Sequence, residues 1–114
     1  MEDNRKMVRR EIMFYSRVFD RKTGKHLGLL GNLTTDGLMI ISEEPVEVET
    51  QFELRIELPE DIYPKNDINL SGESLWCDSD IDPKFFNVGF QILAICQQDL
   101  ELIDIVVKEF EVDK

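Results

Sequence analysis

Cysteine and histidine are nearly missing from this chain: Cys77 and Cys96 stand 19 residues apart, and His26 is the sole histidine among 114 residues. With no Cys-x-x-Cys pair and no His cluster, neither a disulfide framework nor a structural zinc site is expected, and both cysteines are read as small, inert hydrophobes. Glycine and proline are scarce at 6 and 4 residues, which excludes collagen-like and low-complexity classes. The longest aliphatic runs, such as Leu38 to Ile41, fall far short of the ~20 apolar residues a membrane-spanning helix needs, so no membrane span is expected. The opening Met-Glu-Asp-Asn-Arg lacks the apolar stretch of a secretory signal, which places the protein in the cytoplasm with reduced thiols. Catalytic signatures are absent too. There is no Walker or Rossmann glycine pattern, no Gly-x-Ser-x-Gly and no nucleophile with a base, so the chain is not read as an enzyme, and no cofactor is expected.

What remains is globular in composition, 42% hydrophobic and 32% charged, at a length that suits one domain. The formal charge is −11, which disfavours bulk binding of DNA, RNA or anionic lipid. That charge is unevenly spread. Residues 1–26 hold eight of the thirteen basic residues against four acidic ones, a balance of +4, and the rest carries −15. Such asymmetry marks a segment that meets an anion while the remainder does not, or else a solvated N-terminal arm.

Along the chain, residues 12–20 (IMFYSRVFD) and the LGLLGNL stretch flank the Gly-containing turn RKTGKH, in which His26 is expected to face solvent. A hairpin results. A short strand spans Leu38 to Ser42, and from Gln51 to Leu58 the residues Phe52, Leu54, Ile56 and Leu58 alternate strictly with polar ones. Ile68, Leu70, Gly72, Ser74 and Trp76 alternate in the same way, and Phe86, Val88, Phe90 and Ile92 form one face of a further strand. On this phase Trp76 falls in the core, the other reading being a stack on a ligand or on the arm. After Cys96 the period lengthens: Leu100, Ile103, Val106, Val107 and Phe110 recur at helical spacing, giving an amphipathic helix over about 97–112. About six short strands and one terminal helix predict an all-β fold with one added helix, a small antiparallel barrel or sandwich capped by that helix.

Two patterns occur in a telling order. Arg5-x-x-x-Arg9, with Arg10 beside it, precedes the first strand, and Asn32-x-Thr34-x-x-Gly37 lies at the turn between the second and third strands, 22 residues on. Together they resemble the PilZ domain family, whose signature is Arg-x-x-x-Arg followed by Asp/Asn-x-Ser-x-x-Gly. The strand with Trp76, the Val88-Gly89-Phe90 element and the terminal helix look like the second half of the family, so the resemblance runs over roughly residues 5 to 112. It implies a six-stranded, Greek-key-like antiparallel β-barrel at 11–114 behind a basic arm at 1–10. It also implies binding of the bacterial second messenger cyclic di-GMP, with the signal passed to an effector protein that the sequence does not identify.

The residue chemistry suits that ligand, a dianion with two guanine bases. Arg5, Arg9 and Arg10 offer permanently charged planar forks for phosphate or for the O6 and N7 acceptors of guanine. Asn32 offers an amide for a guanine edge and Thr34 a hydroxyl where the family has Ser. Gly37 permits either a positive φ or a close backbone approach. Two plainer readings stand beside this one. The arginines alone describe a solvated arm, and Asn32, Thr34 and Gly37 alone describe a turn. The acidic clusters at 43–49 and 78–82 lack the ligand spacing of a calcium loop and are read as a solvated face. The alternative function is a ligand-independent PilZ-like interaction module of motility or pilus machinery.

Overall fold

The computed structural model describes residues 16–58 and 66–109, the last two by backbone alone. Six strands, β1 (Arg17–Asp20), β2 (His26–Leu33), β3 (Gly37–Ser42), β4 (Gln51–Glu57), β5 (Asp67–Ser79) and β6 (Phe86–Ile95), precede one helix, α1 (Gln97–Glu109). The strands close into a barrel in the order β1-β2-β3-β6-β5-β4, every neighbouring pair antiparallel. Of the two architectures the strand pattern allowed, the barrel is the one adopted, and closure removes the free sheet edges that invite aggregation.

Strand β4 shows how the pattern becomes structure. Leu54 and Ile56 are fully buried, while Arg55 and Glu57 on the opposite phase lie outside. Val18, Leu30, Ile40, Ile68 and Val88 complete the barrel interior, each with no exposure. Outside, Arg17 pairs with Glu57 at 2.9 Å and Arg21 with Glu53 at 3.1 Å, and the Arg17 and Arg55 guanidiniums lie over the Phe19 ring. These exposed pairs fix side-chain positions more than they stabilise the fold. Gly24 turns the β1–β2 hairpin with φ 79°, donating its N–H to the Asp20 carbonyl at 2.7 Å. His26 opens β2, exposed as expected, with its ring 5.3 Å from that of Phe19.

The ladder is not continuous. Leu30 pairs with Ile40 but Asn32 with Met39, so Gly31 is an extra residue on β2. Ser74 pairs with Phe90 but Trp76 with Gly89, so Leu75 is an extra residue on β5. A single extra residue flips every later side chain to the other face. The expectation that Trp76 lies in the core is therefore corrected: the bulge at Leu75 turns it outward, 41% exposed, and brings Cys77 onto the core face in its place. Cys96 is exposed rather than packed as a small hydrophobe.

Helix α1 packs against β5 and adds Leu102, Ile103 and Val106 to the core. Its buried face runs through Asp99, Leu102, Ile103 and Val106, so the apolar stripe is centred about one residue off the predicted one, with Leu102 buried and Leu100 and Val107 at its edges. Asp99 sets that rotation. It sits in the first turn, where the helix dipole favours a carboxylate, and its Oδ2 accepts the Asn69 N–H of β5 at 2.9 Å. Phe110 lies outside the described residues.

Asp99→Ala removes the acceptor of a half-buried backbone amide and is expected to lower stability by about 1–3 kcal/mol. Circular dichroism should show a fall of several degrees in Tm, whereas exposed Gln98→Ala should remain within about 0.5 kcal/mol of the parent. Melting of Asp99→Ala at the parental temperature would show that helix docking does not depend on this bond.

Candidate functional site

The hairpin turn between β2 and β3 is built from its own side chains. Thr34 Oγ1 accepts the N–H groups of Asp36 at 3.1 Å and Gly37 at 3.2 Å, and the Thr34 N–H donates to the Gly37 carbonyl at 2.9 Å. The Asp36 carbonyl accepts the Ile92 N–H of β6 at 2.9 Å, which ties the turn to the barrel wall. Thr34 thus shapes the turn, the role that the plainer sequence reading gave it. Two amides that could have cradled an anion are already engaged.

Gly37 does not carry a positive φ. Of the two roles open to it, the close approach is the one realised: a Cβ there would overlap the Phe90 carbonyl oxygen of β6 and stand 3.6 Å from Gln91 Cα. Asn32 is exposed because the bulge at Gly31 turns it outward, and its Oδ1 accepts the Leu33 N–H at 2.9 Å. That bond leaves the Nδ2 donor on the outside, without a partner among the described residues.

A row of outward positions crosses the sheet from Asn32. Asn32 pairs with Met39, Met39 with Gly89, and Gly89 with Trp76, so the two bulge-turned side chains share one row on β2 and β5. At roughly 4.8 Å per strand, Asn32 stands about 10 Å from Gly89. The indole of Trp76 lies over Gly89, for a Cβ at that glycine would fall 2.6 Å from Trp76 Cζ2 and closer still to Cε2 and Nε1. Between the turn, this row and the Gln91–Ile92 stretch lies an open groove of about 610 Å³, within the size range of nucleotide-sized sites. Among the described residues that line it none is basic, and Asp36 is acidic.

The groove is lined by Asn32, Thr34 and Gly37 of the sequence motif together with Trp76 and Gly89, which the strand phase had hidden. Arg5, Arg9 and Arg10 lie outside the described residues. The point where the chain joins the barrel is described: the Ser16 carbonyl accepts the Leu30 N–H at 2.8 Å, two residues before Asn32 on the same strand. The described chain thus begins beside β2, two residues from Asn32. No group of His, Cys, Asp and Glu suited to a metal ion occurs among the described residues, and no described helix is long and apolar enough to cross a membrane.

No protein-family model matches the chain, and no curated protein matches it. Among solved structures, that of the Bacillus subtilis inhibitor of motility, MotI/DgrA, aligns with a TM-score of 0.70 at 15% identity. The alignment covers 87% of this chain and 47% of the other, so the chain spans about half the length of that protein. At this identity the likeness concerns the fold, and the fold is that of a PilZ-like module: a six-stranded antiparallel barrel with one C-terminal helix.

Proposed function

We propose that the chain is a receptor for cyclic di-GMP, which it holds between the Arg5-x-x-x-Arg9 arm and the Asn32–Gly37 turn, passing the signal to a partner protein. The observation that carries this reading is the Ser16–Leu30 bond, which starts the barrel two residues from Asn32. From Ser16, an extended chain reaches about 20 Å to Arg10 and about 36 Å to Arg5, enough to bring every arginine of the arm to the groove. The charge distribution supports the same division of labour. A groove whose described lining holds an aspartate and no cation does little by itself to hold a dianion, so in this reading the positive charge comes from the arm. Arginine does this best, since one planar fork takes two phosphate oxygens or the O6 and N7 of guanine. The Asn32 Nδ2 donor then meets a guanine acceptor from the opposite side. The rest of the chain is acidic, but charges beyond a Debye length of about 8 Å are largely screened at physiological ionic strength. MotI/DgrA is named as an inhibitor of motility, which agrees with an effector that acts through another protein.

Isothermal titration of the full chain with cyclic di-GMP should give a Kd in the micromolar range or below. No heat up to about 1 mM ligand, equivalent to only ~4 kcal/mol, would leave the ligand-independent interaction module as the function.

Two classes of variant should separate contact from fold. Arg5→Ala and Arg9→Ala should each weaken binding tenfold or more, because a charge-assisted contact is worth roughly 1.5–3 kcal/mol, with Tm unchanged. Gly37→Val should lower both affinity and stability, the latter by about 1–3 kcal/mol, because its side chain drives into the Phe90 carbonyl. Parental affinity in Arg9→Ala, measured by the same titration, would remove that residue from the site.

A further inference from the structure

A second concavity lies further along β2 and β3 and shares no lining residue with the groove. The β1–β2 turn, the start of β2, the end of β3 and the loop that follows β3 form it. Its volume of about 280 Å³ falls just below the range of drug-sized sites, roughly 300–1,000 Å³, and suits one or two side chains rather than a nucleotide. The lining is largely apolar, with Leu27, Leu29, Ile41, Val46 and Phe85 all half-buried. Leu29 and Ile41 face each other across β2 and β3 on the outward phase, opposite to the buried Leu30 and Ile40, so apolar surface is presented here where the strand period calls for polar residues.

The loop after β3 is pinned from two strands. Ser42 Oγ donates to the Glu44 carbonyl at 2.7 Å, and the fully buried Ser74 Oγ of β5 donates to the Glu47 carbonyl at 2.6 Å and accepts the Thr50 N–H at 3.1 Å. A pocket walled by a pinned loop loses little freedom when filled. The same loop carries four carboxylates, those of Glu43, Glu44, Glu47 and Glu49. Only Glu44 is ion-paired among the described residues, with the Lys25 ammonium of the β1–β2 turn at 3.1 Å. An apolar hole beside unpaired negative charge fits an occupant that is apolar at one point and positive around it. A second copy of this face repels the first, and so does an anionic membrane. We propose that this pocket docks a basic segment of a partner protein, which seats one large apolar side chain among Leu29, Ile41 and Val46 and sets Lys or Arg against Glu43 and the carboxylates that follow it. Such docking does not depend on cyclic di-GMP, since the receptor and the ligand-independent module both need a partner. Leu29 stands roughly 10 Å along β2 from Asn32, so a docked segment lies beside the groove without filling it.

Amide chemical-shift mapping of the full chain, without cyclic di-GMP, tests the docking with capped synthetic peptides. The peptide Arg-Arg-Leu-Arg-Arg should shift the amides of residues 25–29, 41–46 and 85 saturably, with a Kd of about 1 mM or below. Replacing its Leu by Ser should weaken binding about tenfold or more, the worth of one buried leucine side chain, and replacing its Arg residues by Glu should abolish binding. Glu43→Gln should weaken binding of the first peptide by about two- to fivefold, as expected for one exposed ion pair, and leave Tm unchanged. Absence of shifts up to about 10 mM peptide overturns the docking site. Shifts spread over the whole acidic surface, equal for the Leu and Ser peptides, overturn it as well. Shifts at the same amides that grow with protein concentration alone overturn it in favour of a second copy as the occupant. Each of these results leaves the outcome of the cyclic di-GMP titration unaffected.

Discussion

The ladder of a closed six-stranded barrel has to absorb mismatches in register, and in this protein the absorbed residues decide which side chains face outward. A regular strand would send Ile68, Leu70, Gly72, Ser74 and Trp76 inward without a break. Inserting Leu75 between Ser74 and Trp76 ends that phase. The same device at Gly31 puts Leu30 and Leu33 in the core yet exposes Asn32 between them. Because the side-chain period of a strand is two, each slip acts on everything that follows it. The two slips lie on β2 and β5, and the register of β3 and β6 joins them into a single outward row. The groove is thus a consequence of barrel closure, with the core packed beneath it through Phe90, whose ring meets that of Phe52 edge-on at 5.7 Å.

Rigidity and charge are divided in the same geometry. The turn that carries Thr34 and Gly37 is held by the protein's own bonds, since Thr34 Oγ1 holds two backbone amides and β6 holds the Asp36 carbonyl. A preformed wall loses little conformational freedom on binding, which favours affinity. It is also electrically unsuited to an anion, its amides being satisfied and its one charged member negative. The basic residues are concentrated instead in the first 26 residues of an otherwise acidic chain. Shape and charge are therefore carried by different segments, joined where Ser16 meets Leu30.

Much of this was legible in the sequence, and the parts that were not share a physical cause. Periodicity identified β4 and α1 because each has a long uninterrupted phase on one buried face. It misplaced Trp76 because a one-residue slip leaves composition unchanged; the visible trace was Leu75-Trp76-Cys77, three apolar neighbours where alternation demands a polar one. Val88-Gly89-Phe90 carries a similar run, and there the middle residue lacks a side chain because the indole occupies that space. The helix stripe was read about one residue away from its true centre because Asp99, a polar residue, belongs to the buried face and rotates it. For Gly37 the residue type left two roles open, and only the position of the Phe90 carbonyl distinguishes them. The role of Thr34 was open in the same sense, since a hydroxyl that builds a turn and a hydroxyl that faces a ligand are written with the same letter.

The two glycines of the groove show how little separates a structural residue from a functional one in such a barrel. Both face the backbone of β6 or belong to it, and both leave out a Cβ where something else must lie close. At Gly37 that something is a main-chain carbonyl two strands from Asn32, so any side chain strains the barrel itself. At Gly89 it is a half-exposed ring, which can move aside without unravelling the sheet. The first glycine constrains the fold and only through it the groove; the second constrains the groove directly. The outward row through Trp76 and Gly89 can therefore vary while the core formed by Leu30, Ile40, Leu54 and Val88 stays as it is.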